Sequence, residues 1–311
     1  MAEELGDRLA AVLRAEIAGL TRLSGGASRD TWRFEADGRP LILQRQREGD
    51  SRDMATEIAA VRAAAAAGVP TATIVLASTD RTDLGAAYMI LAQVAGETTA
   101  RKILRDEEYS RARRALPAQL GDALVRLHGI DPQTIPGLAD MDQVEQYRQA
   151  LDTLGEPHPT FELALRWLDA NRPPTVRGIV VHGDFRLGNV IVGEEGLRAV
   201  LDWELVHLGD PMEDLGWLCV KAWRFGSRLP VAGIAEYEQL FAAYEAAGGG
   251  AVEPDVVRWW EVLGTMKWGI MCIMQANAHL TGVTRSHELA AIGRRVCENE
   301  HDLFLALDGR W

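Results

Sequence analysis

The chain has 311 residues, 47% hydrophobic and 25% charged, an ordinary balance for a soluble globular protein with room for one large or two moderate domains. Its net charge of −12 and pI near 5.1 argue against a nucleic-acid partner, because phosphate backbones select a basic surface. No apolar run approaches the roughly 18 residues needed to span a bilayer, so no membrane association is expected, and Met1-Ala2-Glu3-Glu4 is too acidic for a signal peptide. Cys219, Cys272 and Cys297 lie far apart, with neither metal spacing nor a disulfide framework. That pattern points to a reducing, cytoplasmic setting.

Taken in chain order, Leu5, Leu9, Val12, Leu13 and Ile17 recur at helical spacing and predict a first amphipathic helix. Leu20 to Leu23 runs into Ser24-Gly25-Gly26-Ala27-Ser28. Thr31 to Phe34 alternates like a strand, Asp37-Gly38 is a hairpin turn, and Leu41-Ile42-Leu43 is the return strand. Asp53 to Ala67 reads as an alanine-rich helix stopped by Gly68 and Pro70. Ile74 to Leu76 and Tyr88 to Leu91 are two more strands, and Val94-Ala95-Gly96-Glu97 is a linker. Helices are then expected over Leu116 to His128, Phe161 to Leu168, Asp214 to Trp223, Ala235 to Ala247, Asp255 to Leu280 and Glu288 to Leu307.

The most informative stretch is His182-Gly183-Asp184-Phe185-Arg186-Leu187-Gly188-Asn189, followed thirteen residues later by Asp202-Trp203-Glu204. Ile179-Val180-Val181 is a short apolar strand entering the loop. Val190-Ile191-Val192, the turn Gly193 to Gly196 and Leu197 to Leu201 form a hairpin that returns the chain at Asp202. Asn189 and Asp202 therefore sit on opposite ends of one hairpin, close in space. Phosphoryl transfer from a nucleotide uses such a set: one carboxylate faces the acceptor hydroxyl, and an amide oxygen and a second carboxylate hold a metal on the phosphates. A His-Gly-Asp triplet alone is equally a polar turn; the whole strand, loop and hairpin together favour chemistry. The Gly25-Gly26 loop lets backbone N–H groups approach an anion, although a plain glycine hairpin reads the same way.

The loop resembles the catalytic loop of the aminoglycoside phosphotransferase and choline kinase superfamily, H-G-D-x-x-x-x-N followed by an I/L-D-W segment, here His182 to Asn189 and Leu201-Asp202-Trp203. Asp202-Trp203-Glu204 with Gly209-Asp210-Pro211-Met212-Glu213-Asp214-Leu215 resembles one branch, related to domains found beside acyl-CoA dehydrogenases. The resemblance spans most of the chain. It implies an α+β, protein-kinase-like two-lobed fold, with a small antiparallel-sheet lobe over residues 1–94 binding nucleotide and a mainly helical lobe over 95–311 for catalysis and acceptor.

It further implies ATP or GTP as donor, Mg2+ as cofactor and a small-molecule acceptor. Asp184 is the implied base or orienter, and Arg186 meets a phosphate or pairs with Asp210 or Asp214. Asn189 and Asp202 are the implied metal ligands, with Glu204 adding a contact, while His182 shapes the loop. Ser24, Gly25, Gly26 and Ser28 would cradle phosphates, and Leu91 and Gln93 would line the nucleotide site. Glu57 would hold the phosphate-pairing lysine of the third strand, but that lysine is missing. Gln44 occupies the matching position and Arg45 follows it. Strand alternation allows only one of the two to face the cleft. Trp259, Trp260, Met266, Trp268, Met271 and Met274 are either core or an apolar acceptor wall, with Lys267 among them and Glu261 the segment's one carboxylate. That composition favours an acceptor with an apolar portion, such as a hydroxyacyl thioester, over a polycationic aminoglycoside, and Gln44 in place of the lysine leaves a nucleotide-binding, pseudokinase-like protein with little transfer activity as an alternative.

Overall fold

The computed structural model describes residues 2–23, 29–47, 53–174 and 176–310. Helix α1 (Ala2–Leu13) leads into a five-stranded antiparallel sheet of β1 (Ile17–Arg22), β2 (Arg29–Ala36), β3 (Arg39–Gln46), β4 (Ile74–Ser78) and β5 (Tyr88–Ala92), ordered β1-β2-β3-β5-β4. Helix α2 (Met54–Ala66) connects β3 to β4, starting at Asp53, whose side chain accepts the Ala55 N–H. The expected first helix stops at Leu13, four residues short of Ile17, which opens β1 instead. The expected Ser24-Gly25-Gly26-Ser28 phosphate loop falls outside the described residues.

Side-chain alternation gives the sheet two different faces. Trp32, Phe34, Leu41, Leu43, Tyr88 and Ile90 pack with Leu5 and Leu9 of α1 on the outer face. Ile42, Met89 and Leu91 join Met54, Ile58 and Val61 of α2 on the other face, which looks toward the rest of the chain. Residue parity on β3 therefore decides which side chains can reach the space between the two halves.

Beyond Gln93 the chain is mainly helical: α3 (Ala100–Arg105), α4 (Ser110–His128), α5 (Gln143–Leu154) and α6 (Pro159–Ala170) come first. Strand β6 (Ile179–Val181), the hairpin β7 (Val190–Gly193) and β8 (Gly196–Val200), and β9 (His207–Gly209) follow, then α7 (Pro211–Cys219), α8 (Tyr237–Ala246), α9 (Pro254–Leu280), α10 (His287–Ile292) and α11 (Val296–Leu307). The core that carries α2 continues through Leu116, Leu120 and Leu124 of α4 and Val190, Val192 and Val200 of the hairpin, so both halves share buried surface. A second cluster holds α5, α6, α9 and α11 together around Phe161, Leu165, Trp259, Trp260, Met266 and Leu303. Glu97 bridges to Val192 through reciprocal backbone hydrogen bonds of 2.9 and 3.0 Å, tying the linker to the hairpin.

Candidate active site

Strand β6 pairs antiparallel with β9, Val181 opposite His207, and ends where the loop begins. Gly183 then adopts φ +76°, and an added Cβ would lie 2.5 Å from the Leu205 carbonyl oxygen, so only glycine passes this point without strain. Asp214, fully buried on α7, accepts the His182 N–H at 2.8 Å and the Gly183 N–H at 2.9 Å, and lies 3.2 Å from His128 Nε2. Burial alone would raise the Asp214 pKa, but the hydrogen bond and charge of His128, with the His182 contacts, outweigh it and hold the carboxyl below its ordinary value. Lys267 Nζ donates to the Gly183 carbonyl at 3.0 Å from the other side and sits 3.3 Å from Glu213. The expected place for Lys267 beside an acceptor is thereby corrected: it is a buried brace of the loop.

His182 has both ring nitrogens engaged. Nδ1 accepts the Asp184 N–H at 3.2 Å, which leaves the proton on Nε2, facing the Leu201 carbonyl at 3.0 Å. Burial lowers its pKa against the pull of Asp214 and Asp184, so the ring is neutral and shapes the loop, as expected from the sequence. The Asp184 carboxylate is held at three points. Oδ1 accepts Trp217 Nε1 at 2.8 Å and Arg186 Nε at 3.0 Å, and Oδ2 accepts Asn189 Nδ2 at 2.5 Å. Arg186 thus pairs with Asp184 itself, not with Asp210 or Asp214, and its guanidinium lies 4.7 Å over the Trp223 ring. Asp210 caps α7 through the Met212 N–H.

The hairpin brings the two candidate metal ligands together. Leu201 N–H donates to the Asn189 carbonyl at 2.8 Å, closing the mouth of β7 and β8 immediately before Asp202. Because Asn189 spends its amide NH2 on Asp184, its side-chain oxygen is the group left to face a cation. Asp202 has φ +65°, an uncommon conformation for a non-glycine residue. Burial, with the charges of Glu204, Asp184 and Glu57, pushes its pKa up to about 8. Such crowding of carboxylates favours a bound cation, and the oxygen-only donor set suits Mg2+, whose remaining positions go to water and phosphate. Among the described residues no cluster of three or more His, Cys, Asp or Glu side chains is placed to hold a metal ion by itself.

Asp184, Arg186, Asp202 and Glu204 line a cleft of about 960 Å³. Beside them the lining is partly aromatic and apolar (Trp217, Trp223, Phe225, Trp268, Met271 and Leu289) and partly charged (Arg22, Asp30, Arg47, Arg285, Glu288 and Arg295). Trp223 packs between Trp217 and Trp268, with ring centroids 5.3 and 4.9 Å away. The late-helix expectation is therefore met only by Trp268 and Met271. Trp259, Trp260 and Met266 belong to the second core cluster and Met274 is exposed outside the cleft, because α9 turns those faces away. Of the other aromatic lining residues, Trp217 lies on α7 three residues past Asp214, a usable signal in the sequence, whereas Trp223 and Phe225 lie beyond Cys219, where the helix expected to run to Trp223 already ends.

On the sheet, Gln44 shares the inward face with Ile42, whereas Arg45 shares the outer face with Leu43. Arg45 donates to the Leu84 carbonyl at 3.1 Å and lies 3.5 Å from Asp30. Of the two alternatives, Arg45 is thus the one that strand parity turns away from the inward face, and its candidacy for the nucleotide site is corrected. Glu57 is paired instead with Arg29 of β2, at 2.6 Å, both residues being about 4% exposed. Leu91 is buried on the inward face, and Gln93 is exposed with its N–H bonded to Pro40 O at 3.1 Å.

The family model that matches this chain, over residues 19–260, is that of the phosphotransferase enzyme family. Mouse acyl-CoA dehydrogenase family member 10 is 28% identical over 250 residues, covering 72% of this chain and 23% of that protein. Chicken acyl-CoA dehydrogenase family member 11 is 27% identical over 213 residues, 62% of this chain and 27% of its own length. The chain thus spans about a quarter of these relatives. Among solved structures, a Ralstonia eutropha protein assigned to the aminoglycoside phosphotransferases superposes with TM-score 0.74 at 22% identity, covering 97% of this chain and 98% of that one. A choline/ethanolamine kinase family protein from Mesorhizobium loti gives 0.70 at 20% identity, covering 98% and 94%. An aminoglycoside phosphotransferase complexed with AMP-PNP and hygromycin B gives 0.65 at 18%, covering 96% and 98%. These likenesses fix the protein-kinase-like fold, and with the family match over most of its length the chain belongs to the phosphotransferase enzyme family.

Proposed function

We propose that the protein transfers the γ-phosphoryl group of ATP, or GTP, to a hydroxyl of a small metabolite with an apolar portion, using Mg2+. The observation that carries this reading is the meeting of Asp184, Asn189 and Asp202 beside a cleft that Trp217, Trp223 and Trp268 also line. Asp184 is fixed by Trp217, Arg186 and Asn189, so its carboxylate can orient the acceptor hydroxyl and take its proton late in the transfer. Asn189 and Asp202 would hold Mg2+, which when bound neutralises phosphate charge. Arg186, stacked on Trp223, lies where it can meet the transferred group or an anionic acceptor.

Stacked indoles bind flat or aliphatic bodies, and few carboxylates remain in the cleft to replace the hydration of several ammonium groups once the catalytic and metal acids are assigned. This favours a hydroxylated acyl molecule, thioester included, over an aminoglycoside. The similarity to acyl-CoA dehydrogenase family members points the same way. The buried free Cys219 and Cys272 fit a cytoplasmic setting. Among the described residues, no helix is long and apolar enough to cross a membrane.

The test is a side-by-side nucleotide-consumption assay with magnesium on hydroxyacyl, aromatic-alcohol and aminoglycoside acceptors. The expected result is turnover of the apolar class; an aminoglycoside kcat/KM of about 10⁴ M⁻¹s⁻¹ or more would overturn the acceptor assignment.

A further inference from the structure

The sequence leaves the phosphate side of the cleft without the strand lysine that its fold normally supplies, and the structure offers a substitute from another strand. We propose that Arg29, at the start of β2, is the cation that binds the nucleotide phosphates, with Glu57 of α2 holding it in place. The inference rests on the nucleotide-dependent reading above.

Three observations carry it. The register pairs Arg29 with Gln46, two residues along β3 from Gln44, so Arg29 stands on the same inward face as Gln44 and Ile42. Its Nη2 lies 2.6 Å from Glu57 Oε2 in a pair where each side chain is no more than 5% exposed. Burying two charges is costly and is often no better for stability than an apolar pair, so the fold gains little from keeping this one there. Finally, α2 packs against the Trp203–Leu205 turn that directly follows Asp202, so the helix that holds Arg29 abuts the segment at the metal end of the cleft.

The chemistry suits arginine. A guanidinium presents five donors in a planar fork and can meet a carboxylate on one edge and phosphate oxygens on another. A lysine on β3 serves two partners with a single ammonium; an arginine entering from β2 spans the longer reach. Arg33 also lies on this face, but it is exposed and stands opposite Ile42, beyond Gln44 from Glu57. Arg45 faces the other way.

The experiment is calorimetric titration of Mg-ATP into the wild type, Arg29→Met and Arg45→Ala, with the melting temperature of each free protein measured in parallel. Loss of a charge-assisted contact weakens binding about ten- to a hundredfold. We expect that loss for Arg29→Met, with a lower but still cooperative melting transition because Glu57 loses its buried partner, a shallower dependence of its affinity on salt, and less than threefold change for Arg45→Ala. Wild-type binding together with an Arg29→Met affinity within threefold of it, or with an undiminished salt dependence, would overturn the inference and leave the proposed function standing. A wild type that binds neither Mg-ATP nor Mg-GTP would remove both. Should Arg29→Met fail to unfold cooperatively, Arg29→Lys decides: it keeps the charge and a contact to Glu57 but not the second edge of the fork. A loss of threefold or more supports the inference, and unchanged affinity sinks it.

Discussion

Three hydrogen bonds converge on the Asp184 carboxylate, and none of them comes from a residue that could be its proton partner in transfer. The arrangement fixes the direction of the carboxylate before any acceptor arrives. Asp184→Asn keeps the shape but cannot accept a proton, and it should lower turnover by about 10²–10⁴-fold with the fold intact. Steady-state rates with a confirmed acceptor check this; turnover within tenfold of the parent would refute the assignment. Trp217→Phe removes one of the three tethers while keeping most of the ring. It should leave nucleotide affinity unchanged and slow turnover, because only the aim of Asp184 is loosened. An equal loss in nucleotide binding would show that Trp217 acts more broadly. At the metal end, Asp202→Ala should abolish the magnesium-dependent part of ATP binding, read by titration with and without the ion. That Asp184, Asn189 and Asp202 come together was legible from the loop motif and the hairpin after it. Their supports were not, since Trp217, Lys267 and Asp214 lie 33, 83 and 30 positions from Asp184 and meet it or the two residues before it only after the helices pack.

At the scale of elements, the loop depends on α7 more than its own sequence reveals. Asp214 accepts two successive backbone N–H groups, and its folded-state pKa is held below the ordinary value of 3.8. A lowered carboxylate pKa contributes stability above the ordinary value and loses it as pH falls through the folded one. The acid limb of the unfolding curve below about pH 3.8 should therefore flatten in Asp214→Asn. At neutral pH the same variant should be less stable by about 1–3 kcal/mol, since one buried N–H loses its acceptor. Denaturant titrations between pH 3 and 7 check both; an unchanged acid limb would show that other carboxylates dominate.

Element prediction from pattern succeeded where burial is one-sided and failed elsewhere for identifiable reasons. Strand β1 is mostly exposed and carries Gly19 at φ +64°, so it has no alternation to read. The expected single helix from Glu288 to Leu307 breaks into α10 and α11 across Gly293. Helix α5 was overlooked although Asp142 caps it and Val144, Tyr147 and Leu151 recur on one face, a pattern that was present to be read. Strand β9 has only three residues and exists because β6 pairs with it.

Across the whole molecule, the sheet half and the helical half meet through α2, the hairpin and the linker. Gly96 adopts φ +151° there, with an added Cβ 2.5 Å from Ile191 and 2.7 Å from the Val192 carbonyl oxygen. A nucleotide bound between the halves would stabilise both at once. Mg-ATP at 100 times its dissociation constant should stabilise the fold by about 2.7 kcal/mol, a rise in melting temperature of several degrees. Chelation of the metal should cancel most of that rise, and a rise of equal size in EDTA would argue against the magnesium site. By itself the sequence pointed to the two-lobed fold class and to the meeting of Asp184, Asn189 and Asp202, because the features that carry these are local: a motif, a hairpin and strand alternation lie within a few residues of one another. It did not determine which strand supplies the cationic partner of Glu57, which way Arg45 points, or which tryptophans face the cleft. Those depend on strand register and on the rotation of α7 and α9 against the loop, and such relations are fixed only when distant segments bury their faces together.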